Sequence, residues 1–241
     1  MKIIISNNYQ TMSAKAAKIV IREVNKNQRL VLGLASGRTP LGFYQRLRLA
    51  HKQGKVSFNN VIVFNLDEYI GLGKDYKNSY GYYLRHQFAD KVGIKDSNLY
   101  LLNGRAKDLK KECQNYEAKI RKQNGIDWLI LGIGKNGHIA FNEPGSSFRS
   151  ITRVINLTYS SRLANAPYFN SLAKVPKRAI TVGLGTIMRA KNIILMAAGK
   201  NKAEIIAQTL KSEKNRAVPA SALQEHKNLI VILDKLAASC L

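Results

Sequence analysis

Short apolar runs alternate with amphipathic stretches along almost the whole chain, and few folds accept that rhythm. Runs at 2–6, 30–34, 61–66, 128–133, 179–184, 192–197 and 229–233 have the length and the apolar, often β-branched character of strands. Between them, 12–25 carries Ala16, Ile19, Val20 and Val24 at helical spacing. Stretches 40–52 (with Pro40 in the first turn), 79–91, 107–123, 200–212 and 234–239 read as further helices. Strands that alternate with helices make βα units, and such units make a mainly parallel sheet with helices on both faces. No repeat, low-complexity tract or linker divides the 241 residues. A single Rossmann-like α/β domain over 1–241 is therefore predicted.

The composition narrows the function classes. Hydrophobic residues make up 45% of the chain, enough for a sizeable core. No run of about 18 apolar residues occurs, so no membrane span is expected. The opening Met-Lys-Ile-Ile-Ile-Ser is too short an apolar run for a secretory signal and reads as the first strand. Cys113 and Cys240 lack metal-ligand spacing and fit two reduced thiols in a cytoplasmic protein. The net charge of +24 would attract polyanions. Its lysines and arginines are scattered over the predicted helices, without a zinc-finger, basic-zipper or RNP pattern, so a specific nucleic-acid site is not expected. A basic field also suits a small phosphorylated ligand.

In open α/β sheets, ligands bind beyond the carboxyl ends of the strands. Four segments at such positions are unusual. In G-L-A-S-G-R-T-P-L, from Gly33, a strand runs into small and hydroxylated residues before a helix. Unpaired N–H groups there, with Ser36, Gly37, Arg38 and Thr39, suit an anion. A tight strand–helix turn capped by Thr39 explains the same residues equally well. In V-I-V-F-N-L-D-E-Y-I, the carboxylates Asp67 and Glu68 end an apolar strand; partial burial would raise a pKa and make a general base. Solvated acids in a loop would look the same. The third segment is G-I-G-K-N-G-H-I-A-F-N-E-P, where His138 follows a glycine-rich turn and Glu143 stands five residues on. That pattern of base and orienting acid favours a catalytic histidine over a packed one, with Asn136 placed to position a ligand or the ring. Last, strands at 179–184 and 192–197 run into glycines, then Lys200 and Lys202, either able to neutralise a phosphate.

Taken in order, L-G-L-A-S-G-R-T-P-L-G-F-Y, F-N-L-D-E-Y-I-G-L, G-K-N-G-H-I-A-F-N-E-P-G-S-S-F, V-P-K-R-A-I-T-V-G-L-G-T and S-A-L-Q-E-H resemble the glucosamine-6-phosphate deaminase family over nearly the whole chain. The first and fourth occur more loosely in the related 6-phosphogluconolactonases, which lack the F-N-E-P run. A lactonase-like hydrolase and a non-catalytic sugar-phosphate sensor are the alternatives. The resemblance implies conversion of glucosamine-6-phosphate and water to fructose-6-phosphate and ammonia, with no metal and no organic cofactor. It implies that Asp67 moves a proton between carbons 2 and 1 and that His138, oriented by Glu143, assists ring opening. Asn136 belongs to the same catalytic set, and Ser36, Gly37, Arg38, Thr39 and Lys202 would hold the phosphate.

The chain departs from the family pattern in three places. Asn136 stands where some members carry Asp, and can hydrogen-bond without adding charge. Pro167 stands where the family usually has a phosphate-contacting Arg; Arg38, at a usually small position, is the expected replacement. Ile151 interrupts the basic segment that regulated members use, although Arg153 remains. Effector regulation and the accompanying hexamer are therefore not expected; the assembly is a monomer or a homo-oligomer.

Overall fold

The side-chain parity of the strands shows why the sheet must be buried on both sides. The computed structural model describes residues 1–241. In chain order it contains β1 (Lys2–Ser6), α1 (Tyr9–Lys26), β2 (Val31–Leu34), α2 (Leu41–Lys52), β3 (Ile62–Asn65), β4 (Asp67–Tyr69), α3 (Tyr80–Gln87), β5 (Leu99–Tyr100), α4 (Leu109–Lys122) and β6 (Trp128–Leu131). There follow β7 (Arg153–Asn156), α5 (Tyr159–Phe169), β8 (Arg178–Thr181), α6 (Leu184–Met188), β9 (Asn192–Ala197), α7 (Ala203–Lys211) and β10 (Leu229–Asp234). Leu32, Leu34, Val63, Ile130, Ile194 and Ile232 point into one core of 27 buried residues. Their alternates Val31, Ile62, Phe64, Leu129, Ile193 and Val231 point into another of 31. Such strands, apolar at every position, belong in a sheet covered on both faces.

Seven strands form that sheet in the order β1-β10-β9-β6-β2-β3-β5, and every pairing is parallel. From β2 the chain moves outward through β3 and β5, then returns to β6 on the other side of β2. The order thus reverses between β2 and β6, which opens a crevice at their C-terminal ends. The helices start where the sequence supplies caps. Asn8 makes a reciprocal capping box with Thr11 ahead of α1, and Asp108 accepts the Lys111 N–H ahead of α4. No helix is long and apolar enough to cross a membrane.

Several sequence expectations need correction. The run at 179–184 is not a strand of the parallel sheet: β8 pairs antiparallel with β4 and β7 in a separate three-stranded sheet. With three residues in β4 and four in β7, both are too short for periodicity to reveal them. The stretch 234–239 is no helix: Asp234 ends β10 and turns follow it. Pro40 sits at the N-cap of α2, not inside its first turn, and no side chain caps that end. Thr39 therefore does not cap the helix. The stretch at 159–169 is a helix in spite of Pro167, whose missing N–H costs one intrahelical bond.

Candidate active site

The crevice receives the loops after β2, β3, β6 and β9. After β2, Gly37 takes φ = 103°, a left-handed value open to glycine, and the chain turns over residues 35–40 into α2. The N–H groups of Ser36, Gly37, Arg38 and Thr39 find no acceptor within the chain. The Ser36 hydroxyl oxygen is also buried without a partner. Free donors gathered beside a helix N-terminus make an anion cradle. Arg38 is exposed and leans across to α5, where its Nε donates to the Tyr168 hydroxyl at 2.8 Å. Its guanidinium thus reaches α5, the helix that carries Pro167.

Asp67 and Glu68 have different fates although they adjoin. Glu68 is buried and accepts the N–H groups of Tyr69, Tyr80 and Gly81 at 2.8, 3.0 and 2.8 Å. It thereby anchors the N-terminus of α3, where a carboxylate is favoured by the helix dipole. Burial pushes its pKa up to about 7 against those three donors. Asp67 is only 7% exposed, and its Oδ1 has no partner. Burial, with the Glu68 carboxylate beside it, pushes Asp67 up to about 8. Glu68 has the donors that solvate an anion; Asp67 is the proton acceptor left unsatisfied.

The loop after β6 brings the other polar groups together. Gly134 lies against the His138 ring, and a Cβ there would overlap the imidazole. His138 Nδ1 is 3.6 Å from Glu143 Oε2 and 3.5 Å from the Ser161 hydroxyl. Asn136 Nδ2 donates to Glu143 Oε2 at 2.9 Å, and Asn136 Oδ1 accepts the His138 N–H at 3.3 Å. Thr158 donates its hydroxyl to Glu143 Oε1 at 3.2 Å. Burial would raise the Glu143 pKa, but the His138, Ser161 and Asn136 groups outweigh it and hold the carboxyl at about 2. Glu143 is thus a fixed negative charge against the imidazole. The Phe141 N–H donates to the Thr181 hydroxyl at 3.0 Å, and Thr181 pairs with Asp67 across β4 and β8. The small antiparallel sheet therefore ties the carboxylate to the histidine loop.

Lys202, after β9, reaches the loop after β6. Its ammonium donates to the Ile133 carbonyl at 2.7 Å, and burial, with Lys135 nearby, lowers its pKa to about 8. Lys200 is exposed. The expected residues thus stand in the segments that follow strands of the parallel sheet, Asp67 on β4, with His138, Glu143 and Asn136 in direct contact. Two contributors, Thr158 and Ser161, went unseen in the sequence, and Glu68, offered there beside Asp67 as a possible base, instead anchors α3. The first two open α5, and the N-cap pattern at Thr158 was their available signal.

A doubly covered parallel sheet that carries an anion cradle, a buried carboxylate and an acid-supported imidazole at its switch point defines an α/β acid–base enzyme for small anionic substrates. Residues 6–232 match the family described as glucosamine-6-phosphate isomerases/6-phosphogluconolactonase, and the chain belongs to that family. A protein of Thermoanaerobacter sp. (strain X514) named glucosamine-6-phosphate deaminase is 50% identical over 99% of this chain and 94% of its own. A solved structure described as a monomeric glucosamine-6-phosphate deaminase superposes with a TM-score of 0.98 at 42% identity, covering 100% of both chains. The 6-phosphogluconolactonase of Trypanosoma brucei covers 100% of this chain and 98% of its own with a TM-score of 0.77 at 21% identity, a likeness of fold alone.

Proposed function

We propose that this chain is a glucosamine-6-phosphate deaminase that forms fructose-6-phosphate and ammonia. The observation that carries the reading is Asp67: a buried carboxylate with an unpartnered oxygen, in a chain half identical throughout its length to a relative of that name. The phosphate rests on the free N–H groups of 36–39, the Ser36 hydroxyl and Lys202, with Arg38 at the rim. His138, held by Glu143, moves the protons needed to open the pyranose between the ring oxygen and the anomeric hydroxyl. Asp67 then takes the proton from carbon 2, the carbon that bears nitrogen, and an enolamine forms. Return of the proton to carbon 1 gives a ketimine at carbon 2. Water adds there, the carbon–nitrogen bond breaks, and ammonia leaves. The remote phosphate helps orient the reacting carbons.

The same reading places the enzyme in the cytoplasm, in keeping with two unpaired cysteines. It favours a monomer, as described for the 42%-identical structure, and light scattering checks this. The functional test is turnover of glucosamine-6-phosphate, read as both products, beside an Asp67→Asn control. Equal release of the two, lost in the control, is expected. Hydrolysis of 6-phosphogluconolactone in its place, or binding without turnover, would overturn the reading.

A further inference from the structure

The loop after β2 is held from behind by phenols. Tyr44 Oη donates to the Ala35 carbonyl at 2.6 Å, and Tyr83 Oη donates to the Gly37 carbonyl at 2.6 Å. Tyr9 Oη lies 3.2 and 3.1 Å from the Arg38 and Thr39 carbonyls and accepts the Gly42 N–H at 2.7 Å. One phenol comes from each of α1, α2 and α3. In a trans peptide the carbonyl and the N–H point in opposite directions. Fixing the carbonyls of Ala35, Gly37 and Arg38 towards the helices therefore turns the N–H groups of Ser36, Arg38 and Thr39 away from them. Those are among the donors that find no acceptor in the chain.

Left alone, a segment built on Gly37 and other small residues would sample many peptide orientations, and a ligand would have to order them on binding. We infer that Tyr9 and Tyr83 are positioning residues for the substrate phosphate: their hydroxyls set the peptide planes of residues 37–39 so that the free N–H groups converge on a phosphate monoester. Tyr44 works with them from inside the core, where it is fully buried. Burial raises the Tyr83 and Tyr44 phenol pKa values well above the usual range, so both stay donors at any working pH. The inference rests on the reading of the β2 loop as the phosphate site.

The experiment uses Tyr83→Phe, Tyr9→Phe and the double variant in the full chain, with Lys202→Met as the reference. Calorimetry gives Kd for inorganic phosphate, steady-state kinetics give KM and kcat for glucosamine-6-phosphate, and Tm follows the fold. Each Phe variant should raise Kd and KM together by about 5- to 10-fold, as one hydrogen bond is lost, with kcat within about twofold. A lower Tm with unchanged Kd and KM would mean that the hydroxyls only stabilise the fold, and would overturn the inference. If Lys202→Met raises both constants while the Phe variants do not, the pinning alone fails. If Lys202→Met and a Ser36→Ala variant also leave both unchanged, phosphate does not bind here, and the reading of the loop fails with the inference.

Discussion

The two sides of the crevice solve opposite problems. The loop after β2 has to grip an anion, and presents backbone N–H groups and one unpartnered hydroxyl. Across from it, β4 and the loop after β6 have to move protons, and present side chains with displaced pKa values. The grip tolerates small residues because the main chain supplies the donors. The proton-moving side depends on each carboxylate having a different environment. Asp67 is buried with one oxygen unpartnered, Glu68 is capped by three N–H groups, and Glu143 is surrounded by donors. Identical chemistry thus meets three environments, and the proposed function uses them as a base, an anchor and a fixed counter-charge.

Substitutions should separate the two sides. Asp67→Asn is expected to lower kcat by about 10²–10⁴-fold with little change in KM, because it removes a proton acceptor and leaves the grip intact. A comparable rise in KM would show that the two sides are not separable. Glu143→Gln should cost kcat about 10–100-fold, since the imidazole loses its charged neighbour while Asn136 and Thr158 can still hold the amide. Arg38→Ala should act on the other side and raise KM about tenfold for the phosphorylated sugar at nearly constant kcat. An unchanged KM would mean that Arg38 does not replace the charge absent at Pro167.

The pH profile tests both sides at once. Asp67 serves as a base only when ionised, so activity should fall as pH drops below about 8. Lys202 serves the phosphate only when charged, so affinity should fall as pH rises above about 8. A narrow bell in kcat/KM centred near pH 8 follows, and Lys202→Arg should extend its alkaline limb. The smallest effect concerns stability. Asp67 has a folded pKa above its unfolded value, so the native state holds a proton that the unfolded chain has already released between roughly pH 4 and pH 8. Stability contributed by that proton is complete below about 4 and is lost as pH rises towards 8. Asp67→Asn should therefore raise stability at pH 8 by about 1–3 kcal/mol, measured by urea unfolding, while activity collapses. A destabilised variant would show that the buried carboxylate is satisfied in a way the free Oδ1 does not reveal.

Much of this was legible in the chain because the parallel sheet is a local pattern repeated. Strands apolar at every position, such as Val31–Leu34 and Trp128–Leu131, announce burial on both faces, and the segments that follow them announce the crevice. The antiparallel patch was not legible, since Asp67–Tyr69 and Arg153–Asn156 are held by pairing with β8 and not by their own periodicity. The helix at Tyr159–Phe169 was hidden by Pro167, although a cap at Thr158 begins it.

By itself, the sequence determined which residue types could do chemistry and which strand each one follows. It placed Asp67, His138 and Glu143 after strands of the parallel sheet, because backbone connectivity carries such segments to one edge. Only the tertiary structure decided which of two adjacent carboxylates is left without donors. That choice depends on donors from Tyr80 and Gly81, residues on another element, and on burial that no stretch of ten residues contains. It also decided the direction of the β2 loop's peptides, through hydroxyls at Tyr9 and Tyr83 that are remote in sequence and adjacent in space. Local patterns specify elements; the solvation of a charge is a property of everything packed around it.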